Sequence, residues 1–326
     1  MKRLLRISIE KWPIRGVFRI SRGSSSSVKV VVVELEQDGC IGRGEASPER
    51  YGMATEIAVA EMETVRDVME QGCERSDLQN ILPPGPVRNG LDLALWDLET
   101  KLTGRPVWDL AGLEEWRPVL TAWTVSLDTP ERMLQAAKQH QNRPLLKIKL
   151  TGESDLERLQ AVRKGAPEAR LIVDANESWS GEYYQHLVPR LVELGIELIE
   201  QPFPAASDEI LAELSRPIPV CADESCRDRS DLQELVKLYD YINIKLDKTG
   251  GLTEALRLQQ QARRLNLGVM VGCMVSTSLG IAPALLLARD ADFIDLDGHL
   301  LLARDREPGL ECKEHLILPP QPELWG

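Results

Sequence analysis

From about residue 119 onward, short runs rich in β-branched residues alternate with stretches of helical period, the pattern of repeated βα units around a parallel sheet. Eight such runs are present: 121–127 (TAWTVSL), 145–150 (LLKIKL), 170–176 (RLIVDAN), 197–202 (ELIEQP), 218–224 (IPVCADE), 241–246 (YINIKL), 268–274 (GVMVGCM) and 293–298 (FIDLDG). Between them lie helix candidates at 130–142, 154–166, 229–238 and 252–266, several opened by Thr, Ser or Asp caps. A closed barrel is the economical solution, and residues 116–304 are assigned to it. Residues 1–115 read differently. Two strand-rich segments, 3–12 and 28–39, precede helices that include a long pattern from Val87 to Leu102, which predicts an α+β domain ahead of the barrel. Ser24 to Ser27, beside Gly23, read as a small polar loop between two strands. The Pro-rich tail, 305–326, ends in apolar residues and is expected to pack back on the first domain.

Length agrees with this partition, because a barrel of this kind routinely needs about 250 residues and the chain has 326, enough for one barrel and a smaller accessory domain. With 43% hydrophobic and 28% charged residues, it can bury a large core. A net charge of -12 opposes binding to nucleic acid or anionic membranes, whose recognition requires a basic face, and favours small-molecule chemistry. The start, MKRLLRISIEKW, returns to charged residues before any apolar stretch long enough for an export signal, so a cytoplasmic site of action is expected. Six cysteines without a CxxC pair suggest reduced, mostly buried thiols. The uncharged run Leu265 to Ala288 is long enough for a membrane span. Its glycines, Asn266, Pro283 and the Ser276–Ser278 cluster instead predict a buried strand, a turn and a helix.

Five of the barrel runs carry a charged residue at or near their ends: Lys149, Asp174, Glu200, Asp223 and Lys245. The gaps are 25, 26, 23 and 22 residues, each close to one βα repeat, so successive strands deliver these groups to one rim. The C-terminal rim is where barrel enzymes keep their active sites. One such Asp is commonly a turn former or helix cap. Three buried carboxylates on three successive strands would repel one another, and a divalent cation resolves the repulsion. Oxygen donors without His or Cys select a hard ion, and few protein ligands favour Mg²⁺. Lys147 and Lys149 lie two apart on one strand and share a face. Like charges in close proximity are expected to lower lysine pKa values towards those of a general base. Lys245 lies four strands away, so two amines flank a substrate held on the metal. A metal-bound carboxylate stabilises the charge that develops as the α-proton leaves, and return of a proton from the opposite side inverts the stereocentre.

These residues resemble the enolase superfamily and, within it, the muconate-lactonizing subgroup. The resemblance rests on KIK at Lys147 to Lys149, DANESW from Asp174, IEQP from Ile199, ADES from Ala222 and NIKLDKTGG from Asn243. In the first domain it rests on GRGE at 42–45 and LDLALWDLETKLTGRPVWDLAG at 91–112, and it covers nearly the whole chain. It implies an α/β fold, a modified (β/α)8 barrel of (β/α)7β form with an N-terminal α+β capping domain. Dipeptide epimerases of the L-Ala-D/L-Glu type are the nearest resemblance. Asp295 and Asp297 are similar to the Asp-x-Asp motif that binds a dipeptide's free ammonium, and FRISRGSSSS is similar to a specificity loop in which Arg22 would grip a Glu side chain. The resemblance further implies Asp174, Glu200 and Asp223 as Mg²⁺ ligands and Lys149 and Lys245 as bases, Lys149 for the L-epimer. Lys147 would tune Lys149, Glu224 would orient its neighbours, and Thr124, Lys147 and Ser276 would contact substrate. The setting would be recycling of peptidoglycan peptides, and a barrel of this sort commonly self-associates into a homo-oligomer.

No His stands on the seventh strand, which sets aside mandelate-racemase-like chemistry; of the four histidines only His299 is placed to approach the pocket. Other lysine-type reactions share the site: epimerisation of a different dipeptide, N-acylamino acid racemisation, o-succinylbenzoate synthesis and muconate cycloisomerisation. None of the last three needs a cation-binding aspartate pair. A non-catalytic metal-binding scaffold is the reading from another class, and two buried amines argue against it because their desolvation is costly.

Overall fold

The protein is described here from a computed structural model covering residues 3–20 and 23–326. A three-stranded antiparallel sheet opens the chain: β1 (Leu4–Ile20), β2 (Gly23–Gln37) and β3 (Cys40–Ala46). The predicted polar loop at Ser24–Ser27 is instead the start of β2, with Ser27 opposite Pro13 and Ser25 opposite Phe18 across a register shift. Backbone pairing continues the hairpin through this stretch. Alternation then takes over, with Val31, Val33 and Leu35 buried on the face covered by the helix Pro86–Thr103. Gly44 of β3 is required by that packing: a Cβ would lie 2.1 Å from the carbonyl of Gly90.

Eight parallel strands follow. After a short strand β4 (Val119–Leu120) they are β5 (Trp123–Val125), β6 (Leu145–Lys149), β7 (Arg170–Asp174), β8 (Ile196–Glu200), β9 (Val220–Ala222), β10 (Tyr241–Ile244), β11 (Gly268–Gly272) and β12 (Phe293–Asp295), neighbours in sequence being neighbours in the sheet. A backbone bond from Ala122 N to Ile294 O (2.7 Å) brings the last strand to the first, and the ring is nearly closed. Ser278–Ala288 forms three short buried helical turns after β11, as the pattern of that apolar run predicts. Among the described residues no helix is long and apolar enough to cross a membrane.

The period-two alternation of the strands sets the inner lining. Leu145, Ile172, Leu198, Cys221, Met270 and Phe293 form the apolar plug inside the ring. Two residues further along the same faces stand Lys147, Asp174, Glu200, Asp223 and Asp295, and four beyond Leu145 stands Lys149. Leu146, Ile148, Leu171 and Val173, at the intervening positions, pack outward into the main core under the helices.

The first sheet and its helix sit against the mouth of the ring. Arg88 donates to the carbonyls of Thr249 (2.7 Å) and Gly250 (3.0 Å), Asp92 accepts from Thr253 N (3.0 Å), and Trp96 Nε1 donates to Thr253 Oγ1 (3.0 Å). Gly251, at φ +113°, leaves room for Asp92, whose Oδ2 would stand 2.4 Å from a Cβ there. The tail runs through a hairpin, β13 (Cys312–Lys313) and β14 (Leu316–Ile317), that pairs with β4, and it returns to the helix Pro86–Thr103. Trp325 is fully buried and donates to Leu93 O (3.1 Å), and Gly326 N reaches Asp97 Oδ1 (2.9 Å).

Candidate active site

At the C-terminal ends of the barrel strands lies a cavity of about 890 Å³, walled on its open side by residues 23–25, 49–52 and 84–86 of the first domain. Lys149, Asp223, Lys245, Thr124, Glu224, Asp295 and Asp297 line it. Asp174 and Glu200 lie just beneath, and with Asp223 they are 0%, 1% and 3% exposed.

Strand register places the charges side by side. Lys149 pairs with Asp174 across β6 and β7, and Asp174 pairs with Glu200 across β7 and β8. Lys149 Nζ lies 2.5 Å from Asp174 Oδ2, and Lys245 Nζ lies 2.5 Å from Asp223 Oδ2. Lys147, fully buried, sits under the cavity rather than on its wall. Its ammonium is 2.6 Å from Glu200, 2.7 Å from Asp295 and 3.2 Å from Asp174. The carboxylates thus take ammonium groups as counterions, and among the described residues no three acidic, imidazole or thiol groups converge tightly enough to hold a metal as they stand.

The electrostatics differ from the expectation of a depressed Lys147. Burial alone pushes the Lys147 ammonium down, but Asp295, Glu200 and Asp174 together carry it well above the usual lysine range. Burial likewise opposes Lys245, which Asp223 and Glu200 raise. Sequence adjacency of two lysines suggested mutual repulsion; in space each has carboxylates nearer. Asp174 is brought down to about 2, the pull of Lys149 and Lys147 outweighing burial. Asp223 falls well below the carboxylate range for the same kind of reason, through Lys245 and Lys248. Glu200 is pushed up to about 7 by burial and the charge of Asp174.

Asp297 lies past the end of β12, as the first residue of a turn rather than on the strand; its Oδ2 accepts from Thr124 N at 2.6 Å. That bond still turns its carboxyl towards Asp295. Burial and the Asp295 charge push Asp297 up to about 7. Ser276 donates to Met274 O (3.1 Å) and lines a narrow adjoining cleft, not the main cavity. His299 is buried and is not on the cavity wall. Arg22 lies outside the described residues.

Several participants were not anticipated. Lys248 Nζ donates to Asp223 Oδ1 (2.5 Å), to the Asp223 carbonyl and to Asn243 O (2.9 Å). Asn243 Nδ2 donates to Glu200 Oε1 (2.8 Å), and Gln201 Oε1 accepts from Asp223 N (2.8 Å). Glu45, buried in the first domain, accepts from Thr277 N (2.8 Å) and Arg306 (2.8 Å), locking cap, barrel and tail together. Asn243 and Lys248 stand at fixed spacings beside Lys245, the signal that could have found them. Arg50 and Tyr51, also on the cavity wall, carry no such mark.

A barrel whose mouth is covered by an α+β domain, with three carboxylates on consecutive strands of its rim and an amine to either side of them, is the architecture of an enzyme that acts on a carbon acid. The chain belongs to the mandelate racemase / muconate lactonizing enzyme family: residues 2–112 match its N-terminal domain and residues 131–311 match the enolase C-terminal domain-like model. It is 45% identical to the L-Ala-D/L-Glu epimerase of Escherichia coli strain K12, over 95% of this chain and 97% of that one. It is 40% identical to the N-acetyl-D-glutamate racemase of a Pseudoalteromonas species, over 86% and 93%. A crystal structure of an enolase family member from Agrobacterium tumefaciens with homology to dipeptide epimerases, containing sodium and L-Ala-L-Glu, superposes with a TM-score of 0.98 at 46% identity, covering 99% of this chain and 100% of that one. Other solved dipeptide epimerases of this fold are complexed with Mg and a dipeptide.

Proposed function

We propose that this protein is a Mg²⁺-dependent epimerase that inverts the α-carbon of the second residue of a dipeptide, with L-Ala-D/L-Glu as its substrate. The observation that carries the reading is the position of Lys149 and Lys245. Their strands, β6 and β10, are four places apart in a ring of eight, so the two amines face each other across the cavity. The three strands between them bear Asp174, Glu200 and Asp223.

The donor set fits the ion. Three buried carboxylates offer oxygen alone, and two amides, Asn243 and Gln201, hold Glu200 and the Asp223 backbone in place. Bound there, Mg²⁺ supplies positive charge that offsets the negative charge growing on the substrate carboxylate as the α-proton leaves. Asp223, which would be one of the ion's ligands, is also the ion-pair partner of Lys245 at 2.5 Å, so the same carboxylate would link the metal position to one of the two bases.

With the α-carbon between the lysines, the neutral amine of one takes the α-proton and the ammonium of the other delivers a proton to the opposite face. The configuration inverts and the two lysines exchange protonation states. Asp295 and Asp297 receive the ammonium of the first residue, whose charge offsets the burial and the mutual repulsion that raise the Asp297 carboxyl. Thr124 fixes Asp297, Lys147 neutralises the floor beneath Lys149, and Glu224 lines the wall beside Asp223. Arg22 is assigned to the Glu side chain and Ser276 to the substrate backbone, on resemblance. We read residues 1–115 with 305–326 as the cap and 116–304 as the barrel, a division that the contacts of Trp325 and Gly326 favour. The setting is peptidoglycan peptide recycling in the cytoplasm.

N-acylamino acid racemisation is the second reading, favoured by the 40% identity to a racemase of an N-acylated glutamate. Such a substrate has no ammonium, and the buried Asp295 and Asp297 pair would have nothing to bind. Incubation of L-Ala-L-Glu with protein and Mg²⁺ in D₂O should place deuterium on the Glu α-carbon and generate L-Ala-D-Glu. If N-acetylglutamate exchanges and the dipeptide does not, the second reading replaces the first.

A further inference from the structure

Behind the three carboxylates lies a buried polar cluster whose outer members take no part in the chemistry of the cavity. Gln201 follows Glu200 directly, at φ +38°, a left-handed conformation that costs free energy in a residue other than glycine and persists only where its surroundings hold it. Its side-chain amide is bonded at both ends. Oε1 accepts from Asp223 N (2.8 Å) and Ser225 N (3.2 Å), and Nε2 donates to Phe203 O (2.9 Å), Ser225 Oγ (2.8 Å) and Tyr239 Oη (3.0 Å). Both hydroxyls in turn donate to a single atom, Asp208 Oδ2, Ser225 at 2.5 Å and Tyr239 at 2.7 Å. None of Gln201, Ser225, Tyr239 and Asp208 lines the cavity.

Asp208, in the segment between β8 and β9, ends this chain of bonds. It is 7% exposed, and among the described residues no cation lies within ion-pair distance of it; hydroxyl protons meet its charge instead. A hydroxyl has one proton, so each of the two, having given it to Asp208, can only accept from Gln201. Without that carboxylate the two hydroxyl oxygens, 3.3 Å apart, are free to bond one another in either sense. Burial and the Asp208 charge also push the Tyr239 hydroxyl above its ordinary range, which keeps it a donor. We infer that Asp208 is a positioning residue for the metal-binding carboxylate Asp223, acting through Ser225 and Tyr239 on Gln201 and through Gln201 on the Asp223 backbone. The inference rests on the Mg²⁺ reading of the site and extends it to a residue outside the cavity. Glu200 immediately precedes Gln201, so two of the three proposed ligands share this joint.

The test is Mg²⁺ binding to the full chain freed of metal, read by isothermal titration calorimetry, for wild type, Asp208→Ala, Asp208→Asn, Tyr239→Phe and Tyr184→Phe. Tyr184 is the control, a buried tyrosine whose hydroxyl meets Ser215 O (3.5 Å) and not this cluster. Asp208→Ala should raise the Mg²⁺ Kd by about tenfold to a hundredfold, and Tyr239→Phe, which breaks one of the two paths, by about threefold to tenfold. Asp208→Asn keeps an oxygen acceptor and should recover most of the loss, and Tyr184→Phe should leave Kd unchanged. Should Asp208→Ala fail to fold, Tyr239→Phe, which removes one oxygen, carries the decision. A wild-type Kd in Tyr239→Phe, a loss in Asp208→Asn equal to that in Asp208→Ala, or a loss in Tyr184→Phe as large as that in Tyr239→Phe overturns the inference. Wild type that binds no Mg²⁺ would instead sink the metal reading itself, so the two failures are separable.

Discussion

Lys248 clamps Asp223 from behind: its ammonium takes both the Asp223 carboxylate, at 2.5 Å, and the Asp223 carbonyl, while a third hydrogen bond reaches Asn243 O at 2.9 Å. One buried cation thereby ties the ends of β9 and β10. Replacing it by Met leaves a carboxylate short of one counterion and two carbonyls short of a donor. Lys248→Met should lose about 3–5 kcal/mol of stability, measured by urea unfolding, because breaking one side of a buried pair strands the other charge. A change within about 0.5 kcal/mol would show that Lys245 alone suffices for Asp223.

Separate replacement of the two bases has an asymmetric signature. With Lys149→Ala or Lys245→Ala, epimerisation should fall by at least about a thousandfold, in the upper range for general acid–base groups. Each variant should still wash deuterium into one epimer and not the other, and the two variants should favour opposite epimers. NMR of L-Ala-L-Glu and L-Ala-D-Glu in D₂O reads this directly. Exchange of both epimers by either variant would be incompatible with bases on opposite faces.

Asp297→Asn removes charge while leaving an oxygen to accept from Thr124 N. Turnover of a dipeptide should drop by about a hundredfold or more, and any exchange of N-acetylglutamate should change by only a few-fold. Equal effects on both substrates would mean that the pair does not read the ammonium.

His299 contributes one component of the pH dependence of stability. Burial, opposed only in part by the charge of Asp305, lowers it to about 4 from an unfolded value near 6.5. Folded protein therefore keeps it neutral where the unfolded chain would protonate it. Its contribution is fully present above about pH 6.5 and is lost as the pH falls towards 4, an effect of roughly 3 kcal/mol. His299→Gln should flatten the stability curve between those values in calorimetry, whatever its effect at pH 8. An unchanged slope would place the acid-labile group elsewhere.

The parts of this molecule that follow from short-range rules were readable in the chain. A period of two put Lys149, Asp174, Glu200 and Asp223 on one face, and the βα spacing put them on consecutive strands. Lys248 was hidden because a lysine in a polar turn looks like a solvated surface charge until β9 is placed beneath it. The shift on Lys147 depends on carboxylates from distant strands, so sequence proximity misjudged its sign. Asp297 kept its partnership with Asp295 despite leaving the strand, because Thr124, across the barrel seam, supplies the orientation that the pleat does not.

The grip of Arg88 on Thr249 and Gly250 attaches the lid to a segment only four and five residues beyond Lys245. Among the described residues no comparable tether joins the lid to the stretch following Lys149. Any rocking of the lid is therefore felt unequally by the two proton carriers, and slack at that joint should disturb the exchange partition of one hand of the substrate more than its mirror image.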